Sequence, residues 1–377
     1  MTRRKQYPSR DLHDNRDGGN AFWWLLLSLL GGGLWVWWYY QPIPPQPPKL
    51  QARAATPHTN QPPVPPTPTP ARTNPPPVPI PPVTNVPPVS AVPLPLPDVL
   101  ETQVALARQG ISPGSLDGVM GSQTRAAILA AQRQLGLRET GELDAETAAA
   151  LSLAAPALTR YVVTSNDLAR LQPLSKTWLG KSQQTVLDYE TILELVAERG
   201  HASPTLTRRL NPAVDWANVV AGAELQIPDV EYPPAAAKAA FVVIRLGEKT
   251  LEAFDAGTNL LAHFPCSIAA RVEKRPAGEL HVTVIAENPN YTFDPDVFPE
   301  SAEARELGRK LILPPGPNNP VGTAWISLDK PGYGMHGTPS PEQVGRTESH
   351  GCFRLANWNA SHLVRLAWVG MPVYIEP

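Results

Sequence analysis

Cys352 is one of only two cysteines in the 377-residue chain, in the stretch Ser349–Leu355, SHGCFRL. His350 stands two positions before it and His336 sixteen. Four chemistries are open to such a thiol. A zinc site would draw on His336, His350 and Cys352, but two ligands separated by one residue give a tight geometry. No further cysteine or acidic cluster completes a closed tetrahedron. A Cys266–Cys352 disulfide would suit an oxidising compartment. A buried structural thiol is the third reading, and Cys266, alternating with apolar neighbours in HFPCSIA, fits it better than Cys352 does. The fourth is a nucleophile. A free thiol with a pKa of about 8.5 is only slightly ionised at neutral pH, so an imidazole within hydrogen-bond reach must take its proton and later return it to a leaving amine. Gly351 would let a substrate carbonyl approach the backbone, and the N–H groups of His350, Gly351 and Cys352 would form an oxyanion hole. This fourth reading accounts for the crowding of Ser, two His and Gly around the cysteine, and it describes a thiol acyl transferase or peptidase.

The elements that must hold these residues lie in the last third of the chain, 239–377. FVVIRL, TLEAFD, LLAHFPCSIA, ELHVTVIAE, AWISL and PVYIE are short runs of strand composition bounded by Gly, Pro and Asn. One helix is expected over 359–369. The long loop 288–321 is the kind that a compact domain keeps for function. The other histidines, His201, His263, His281 and His362, read as surface or satisfied residues, and His13 and His58 fall in the amino-terminal tail and stalk.

Composition limits the partners. A net charge of −2 with 18% charged residues lacks the basic excess of a nucleic-acid binder. Residues 1–20 are polar and basic, and 21–40, AFWWLLLSLLGGGLWVWWYY, carry no charge. About twenty apolar residues match one bilayer-spanning helix, and the flanking Trp and Tyr resemble interfacial aromatic belts. The expectation is a cytoplasmic tail and a single transmembrane anchor, with a cleaved signal peptide as the alternative. Residues 41–97 then hold 23 of the 46 prolines, the composition of an extended linker that cannot build a core.

Between linker and strands lie two smaller modules. In 98–155, Asp98 and Glu101 mark a helix start, a second helix is expected over 122–136, and a third begins near Asp144. Gly118 and Gly121 read as turn residues. In 160–232, YVVTSNDLARL reads as strand then helix, ETILELVAERGH as an amphipathic helix, and ELQIP as a closing strand.

Three resemblances follow from these motifs. QVALARQG, LDGVMGSQTRAAILAAQRQLGL and TGELDAETAAAL resemble the helical peptidoglycan-binding domain of cell-wall enzymes. The order of elements in 160–232 is similar to a LysM repeat, with a longer insertion after the first strand. His336-Gly337-Thr338 followed by Ser349-His350-Gly351-Cys352-x-Arg354, with RPAG at 275–278 and NNPVGTAWISL before it, resembles the signature of L,D-transpeptidases of the YkuD type. In RPAG, Arg275 departs from that family's TPxG pattern. The resemblance implies a mainly-β catalytic domain behind a three-helix module and a small α+β module. It implies Cys352 as nucleophile, His336 as proton donor and acceptor, and Gly337 orienting His336. Ser349, His350 and Gly351 would support the oxyanion site, and Arg354 would position the loop or a substrate carboxylate. If the two histidines exchange roles, His350 becomes the essential one. No metal or organic cofactor is implied. The implied partners are peptidoglycan stem peptides and glycan strands, with a diaminopimelate amine or an amine of a wall-attached protein as acyl acceptor. Two alternatives stay open, an L,D-carboxypeptidase that uses water and a non-catalytic wall-binding protein.

Overall fold

Side-chain caps set the helix starts of the first module. Asp98 accepts the N–H of Glu101 (2.7 Å) ahead of α1, Val99–Ala107, as its sequence predicts. Helix α2, Ser122–Leu135, runs from Gly121 to Gly136, whose left-handed φ of 67° closes it. Asp144 caps α3, Ala145–Ala150, through the N–H of Thr147 (2.9 Å). Gly118 adopts φ 70°, a turn conformation that favours glycine. Gly121 does not: its φ is −91°, so the turn reading holds for only one of the two. The computed structural model describes residues 98–235, 237–298, 301–347, 349 and 351–377. The expected tail, anchor and linker over 1–97, and His350, lie outside the described residues. Among the described residues no helix is long and apolar enough to cross a membrane.

The second module is closed by β1, Leu158–Val162, paired antiparallel with β2, Glu224–Pro228. Four helices lie between them: α4, Ser165–Ala169; α5, Trp178–Ser182; α6, Ile192–Arg199; and α7, Pro204–Leu210. Ile192, Leu195 and Val196 of α6 meet Leu225 and Ile227 of β2 in a small core. The insertion noted in the sequence carries α5.

The remaining strands are β3, Phe241–Arg245; β4, Thr250–Phe254; β5, Leu260–Pro265; β6, Gly278–Glu287; β7, Tyr291–Phe293; β8, Leu311–Leu313; β9, Ala324–Leu328; β10, Gly334–His336; β11, Phe353–Arg354; and β12, Pro372–Glu376. Eight of them form one sheet in the order β11-β10-β9-β6-β12-β3-β4-β5. Pairing is antiparallel except for β10–β11 and β12–β3. Inward-facing Val242, Ile244, Leu251, Val282, Ile326 and Val373 make its core, against which α9, Asn357–Leu366, lays Leu363 and Leu366. The expected helix at 359–369 thus starts and ends earlier, since Ala367 is already extended. The loop 288–321 is not structureless: β7 and β8 pair as a hairpin, and α8, Ala302–Leu307, lies between them.

Backbone hydrogen bonds join the modules. Ser112 N donates to His263 O (2.8 Å) and His263 N to Gly110 O (3.1 Å), so the segment after α1 extends the sheet at β5. Leu187 N donates to Pro315 O (2.8 Å) and Asn318 N to Leu187 O (2.9 Å), which fastens the insertion of the second module to the loop over the sheet.

Candidate active site

The site forms where β10 and β11 run parallel, with Met335 opposite Phe353 and His336 opposite Arg354. Strand β10 delivers His336 at its end, and β11 begins one residue after Cys352. This pairing brings together two residues sixteen apart in sequence. Cys352, His336, Ser349, Gly351 and Arg354 all line one cavity of about 410 Å³.

The loop ahead of Cys352 is anchored on both sides. Ser349 N donates to Ile268 O (2.8 Å), and Ala270 N donates to Ser349 O (2.9 Å). The Ser349 hydroxyl donates to Cys352 O (2.6 Å) and accepts the N–H of Gly351 (3.2 Å). Ser349 therefore supports the turn, and the Gly351 N–H is held by that hydroxyl. The Arg354 guanidinium reaches Thr347 Oγ1 (3.4 Å). His350 belongs to the expected oxyanion set but lies outside the described residues.

His336 is 6% exposed. Its Nδ1 lies 2.6 Å from Gly337 O. A carbonyl only accepts, so Nδ1 carries the proton and a neutral ring keeps its lone pair on Nε2. Trp325 stacks on the ring at 5.5 Å. Burial drives the imidazole pKa down to about 4, the Gly337 bond opposes the shift, and the Arg354 charge adds to it. Burial pushes the Cys352 thiol up to about 11, against the Gly334 backbone and the Arg354 charge, which both favour thiolate. The thiol donates to Gly332 O at 3.4 Å. The resting pair is thus neutral thiol and neutral imidazole, not a preformed ion pair.

The hydrogen bonds that hold the turn behind His336 were not legible in the motif. Asn357 Oδ1 accepts the N–H groups of Thr338 (3.0 Å) and Thr323 (3.3 Å). A Cβ on Gly337 would collide with that oxygen, so the carbonyl that orients His336 sits on a residue that has to be glycine. Asn357 Nδ2 donates to Pro317 O (3.1 Å) and to both carboxylate oxygens of Glu198 (3.2 and 3.3 Å). Tyr189 Oη donates to Glu198 as well (3.1 Å). Burial raises the Glu198 pKa to about 7, while Asn357 and Tyr189 hold it down. Glu198 and Tyr189 come from the second module.

The same module walls the cavity. Trp178 of α5 lines it beside Tyr291 and Phe298 and stacks on Phe293 at 4.4 Å between ring centroids. The only sequence signal for this contact was a tryptophan in an otherwise polar insertion. Trp178→Ala is expected to cost about 2–3 kcal/mol of stability, below the usual range for a fully buried aromatic because Trp178 is partly exposed. A thermal melt of the full chain reads the loss, and an unchanged melt would show that the stack does not hold the loop.

The other readings of the cysteines resolve in part. Both thiols are free, and Cys266 is fully buried in the sheet core. Among the described residues no group of His, Cys, Asp and Glu is placed to hold a metal. Two of the remaining histidines are satisfied by carboxylates: His263 meets Glu252 (3.0 Å) and His281 meets Asp329 (3.1 Å). His362 is buried and His201 half-buried, and both rings lie tilted against Tyr232.

A cysteine and a histidine of fixed tautomer thus line one cavity on the β-sheet. Residues 239–375 match the YkuD family model, described as the L,D-transpeptidase catalytic domain, and residues 95–151 match the model described as "Putative peptidoglycan binding domain". The Bacillus subtilis (strain 168) protein named "Putative L,D-transpeptidase YqjB" is 38% identical over 105 residues, 26% of this chain and 51% of that protein. The chain therefore spans about half the length of that relative. The "Putative L,D-transpeptidase YkuD" of Bacillus licheniformis is 24% identical over 185 residues, 49% of this chain and 93% of that protein. An L,D-transpeptidase structure from Mycobacterium smegmatis is 20% identical, covering 42% of this chain and 65% of that one, with a TM-score of 0.29.

Proposed function

We propose that the chain is a peptidoglycan L,D-transpeptidase. One observation carries the reading. Within the stretch that the family model matches, His336, whose free lone pair is left on Nε2, lines the same cavity as Cys352. In the reaction, Cys352 Sγ attacks the carbonyl of the third residue of a stem tetrapeptide while its proton passes to His336. The tetrahedral intermediate collapses, the carbon–nitrogen bond breaks, and His336 returns the proton to the departing D-Ala amine. The thioester is then attacked by an amine, of diaminopimelate or of a wall-attached protein. The product is an amide, and the thiol is regenerated. Arg354 is positioned to receive a substrate carboxylate. The chemistry needs no metal or cofactor. Residues 21–40 would anchor the chain in the membrane with the catalytic domain outside, and 41–97 would let it reach the wall. The LysM-like segment 160–232 acts in this reading as a spacer that completes the cavity wall.

The test is incubation of the full chain with purified tetrapeptide muropeptides, followed by mass spectrometry. Cross-linked dimers with release of D-Ala are expected. Tripeptides without dimers would make the protein a carboxypeptidase, and unchanged tetrapeptides with no adduct from a carbapenem would make it a non-catalytic binder.

The Asn357–Glu198 bonds give this reading a consequence outside the catalytic domain. Glu198→Ala should slow acylation of Cys352 by a carbapenem about tenfold, and Glu198→Gln, which keeps an acceptor for Asn357, by less. Without Glu198, Asn357 Nδ2 keeps Pro317 O as its acceptor, and leaving its second buried N–H unpaired costs about 1–3 kcal/mol, part of it at the His336 turn. Stopped-flow acylation rates check this, and equal rates in all three proteins would contradict it.

A further inference from the structure

The loop that ends in Cys352 has its root in a turn at 343–347, where Arg346 N and Thr347 N both donate to Gln343 O (3.0 and 2.9 Å). One peptide unit of that turn is held from two sides. Gly345 N donates to Ser267 Oγ (2.9 Å), a residue of the catalytic domain that is 1% exposed. The carbonyl of the same peptide unit, Val344 O, accepts Gln123 Nε2 at 2.7 Å. Gln123 stands in the first turn of α2, so this second tie comes from the helical module, 221 positions back along the chain.

The place of this tie gives it leverage on the thiol. Gly345 adopts φ 73°, and glycine has more backbone freedom to lose than any other residue. Such a residue at the root of a loop is a hinge, and the two bonds on its peptide unit take that freedom away. Ser267 also receives the far end of the loop: Ser267 N donates to Arg354 O (2.9 Å) and Arg354 N to Ser267 O (3.0 Å). Cys352 thus lies between two points pinned at Ser267, with Ser349 held in between at Ile268 and Ala270.

The Gln123 amide is built into this position. A Cβ on Gly345 would run into Gln123 Nε2, and a Cβ on Gly114 into Gln123 Oε1. The carboxamide therefore fills a slot between two glycines, one from the helical module and one from the catalytic domain. Val344 is 5% exposed and Gln123 half-buried, and a hydrogen bond sheltered in this way is stronger than one in open water.

The same helix supplies its own comparison. Gln134, in the last turn of α2, also donates to a backbone carbonyl of the catalytic domain, Leu260 O (3.3 Å). Leu260 opens β5, whereas Ser267 follows the other end of that strand. Gln134 therefore docks the module without reaching the loop, and docking and positioning can be separated on one helix.

We propose that Gln123 is a positioning residue for acyl transfer, holding the root of the Cys352 loop so that the helical module sets where the thiol stands. The side chain touches neither the thiol nor a substrate. It acts through the Val344 carbonyl, and without it the Gly345 hinge turns and the nucleophile spends less time in line with an incoming carbonyl. The inference rests on the reading of Cys352 as the acylated thiol.

Stopped-flow acylation of the full chain by a carbapenem, over a range of concentrations, tests it on Gln123→Met and Gln134→Met. Methionine keeps the length of glutamine and removes the donor. In Gln123→Met the saturating acylation rate is expected to fall about three- to tenfold, the usual worth of one hydrogen bond, with the half-saturating concentration kept within about twofold. Gln134→Met should acylate as the wild type does, and melting curves of both proteins report any loss of docking. A merely structural bond would lower the melt and leave the saturating rate alone. That outcome, an equal slowing in the two variants, or a change confined to the half-saturating concentration would each overturn the proposal. A wild type that takes no adduct at Cys352 overturns the acyl-transfer reading and this inference with it. An acylating wild type matched in rate by Gln123→Met overturns this inference alone.

Discussion

Cys352→Ala in the full chain is expected to eliminate both the carbapenem adduct and D-Ala release, a loss on the order of 10³–10⁶ in rate, as for removal of a covalent nucleophile. Cys266→Ala is the matched control. Cys266 is fully buried, and burial pushes its thiol up to about 12. Its loss should leave acylation within about twofold and cost about 1 kcal/mol of stability. The contrast between the two thiols is environmental. Cys266 is enclosed by Phe264 and Ile268 in the sheet core, whereas Cys352 borders the 410 Å³ cavity with Arg354 beside it. Intact-mass spectrometry after carbapenem exposure should show one adduct on the wild type, one on Cys266→Ala and none on Cys352→Ala. An adduct that survives in Cys352→Ala would dismiss the nucleophile assignment.

The strands of the catalytic domain were legible because each alternates or runs apolar between breakers, and β3, β4, β6, β9 and β12 fall where their residues predict. Strands β10 and β11, three and two residues long, were not. Gly334-Met335-His336 and Phe353-Arg354 are too short to carry a period, and only their parallel pairing shows why two distant motifs form one site. The histidine tautomer followed from the Gly337 carbonyl, as the family resemblance implies. Asn357 and Glu198 gave no signal, because hydrogen bonds between residues 159 positions apart leave no trace in local pattern. Glu198 occupies what reads as the polar face of an amphipathic helix.

That miss changes how the modules relate. The sequence reads as separate units strung along a chain, but the second module supplies the carboxylate behind Asn357 and the aromatic wall at Trp178. The first extends the sheet at β5. Residues 98–377 fold within one compact unit, and the turn that holds His336 is supported from outside the segment that carries its signature. An isolated 239–377 fragment would lack Glu198, Tyr189 and Trp178 together.

His336→Gln is expected to lower acylation of Cys352 by about 10²–10⁴, the usual worth of a positioned general base, and its diagnostic is the pH profile. The productive form, neutral imidazole with protonated thiol, prevails between about 4 and about 11. The wild-type rate should therefore be flat through neutrality and fall as pH drops through about 4, where His336 takes a proton. In His336→Gln that acid limb disappears. Thiolate must then form without a base, so the rate should climb about tenfold per pH unit toward the pKa of the thiol. Stability has to be followed in parallel. The pKa of His336 is lower in the fold than the ordinary 6.5, so the unfolded chain binds more protons, and stability present above about 6.5 is lost as pH falls toward 4. His201 and His362, pushed down by burial to about 3 and about 4, act in the same direction. Glu198 acts oppositely: its contribution is present below 4.5 and lost as pH rises through about 7. Circular dichroism across the range separates unfolding from the kinetic limb. A His336→Gln profile as flat as the wild type's would remove His336 from the proton path, and a lethal His350→Ala beside it would hand the role to His350.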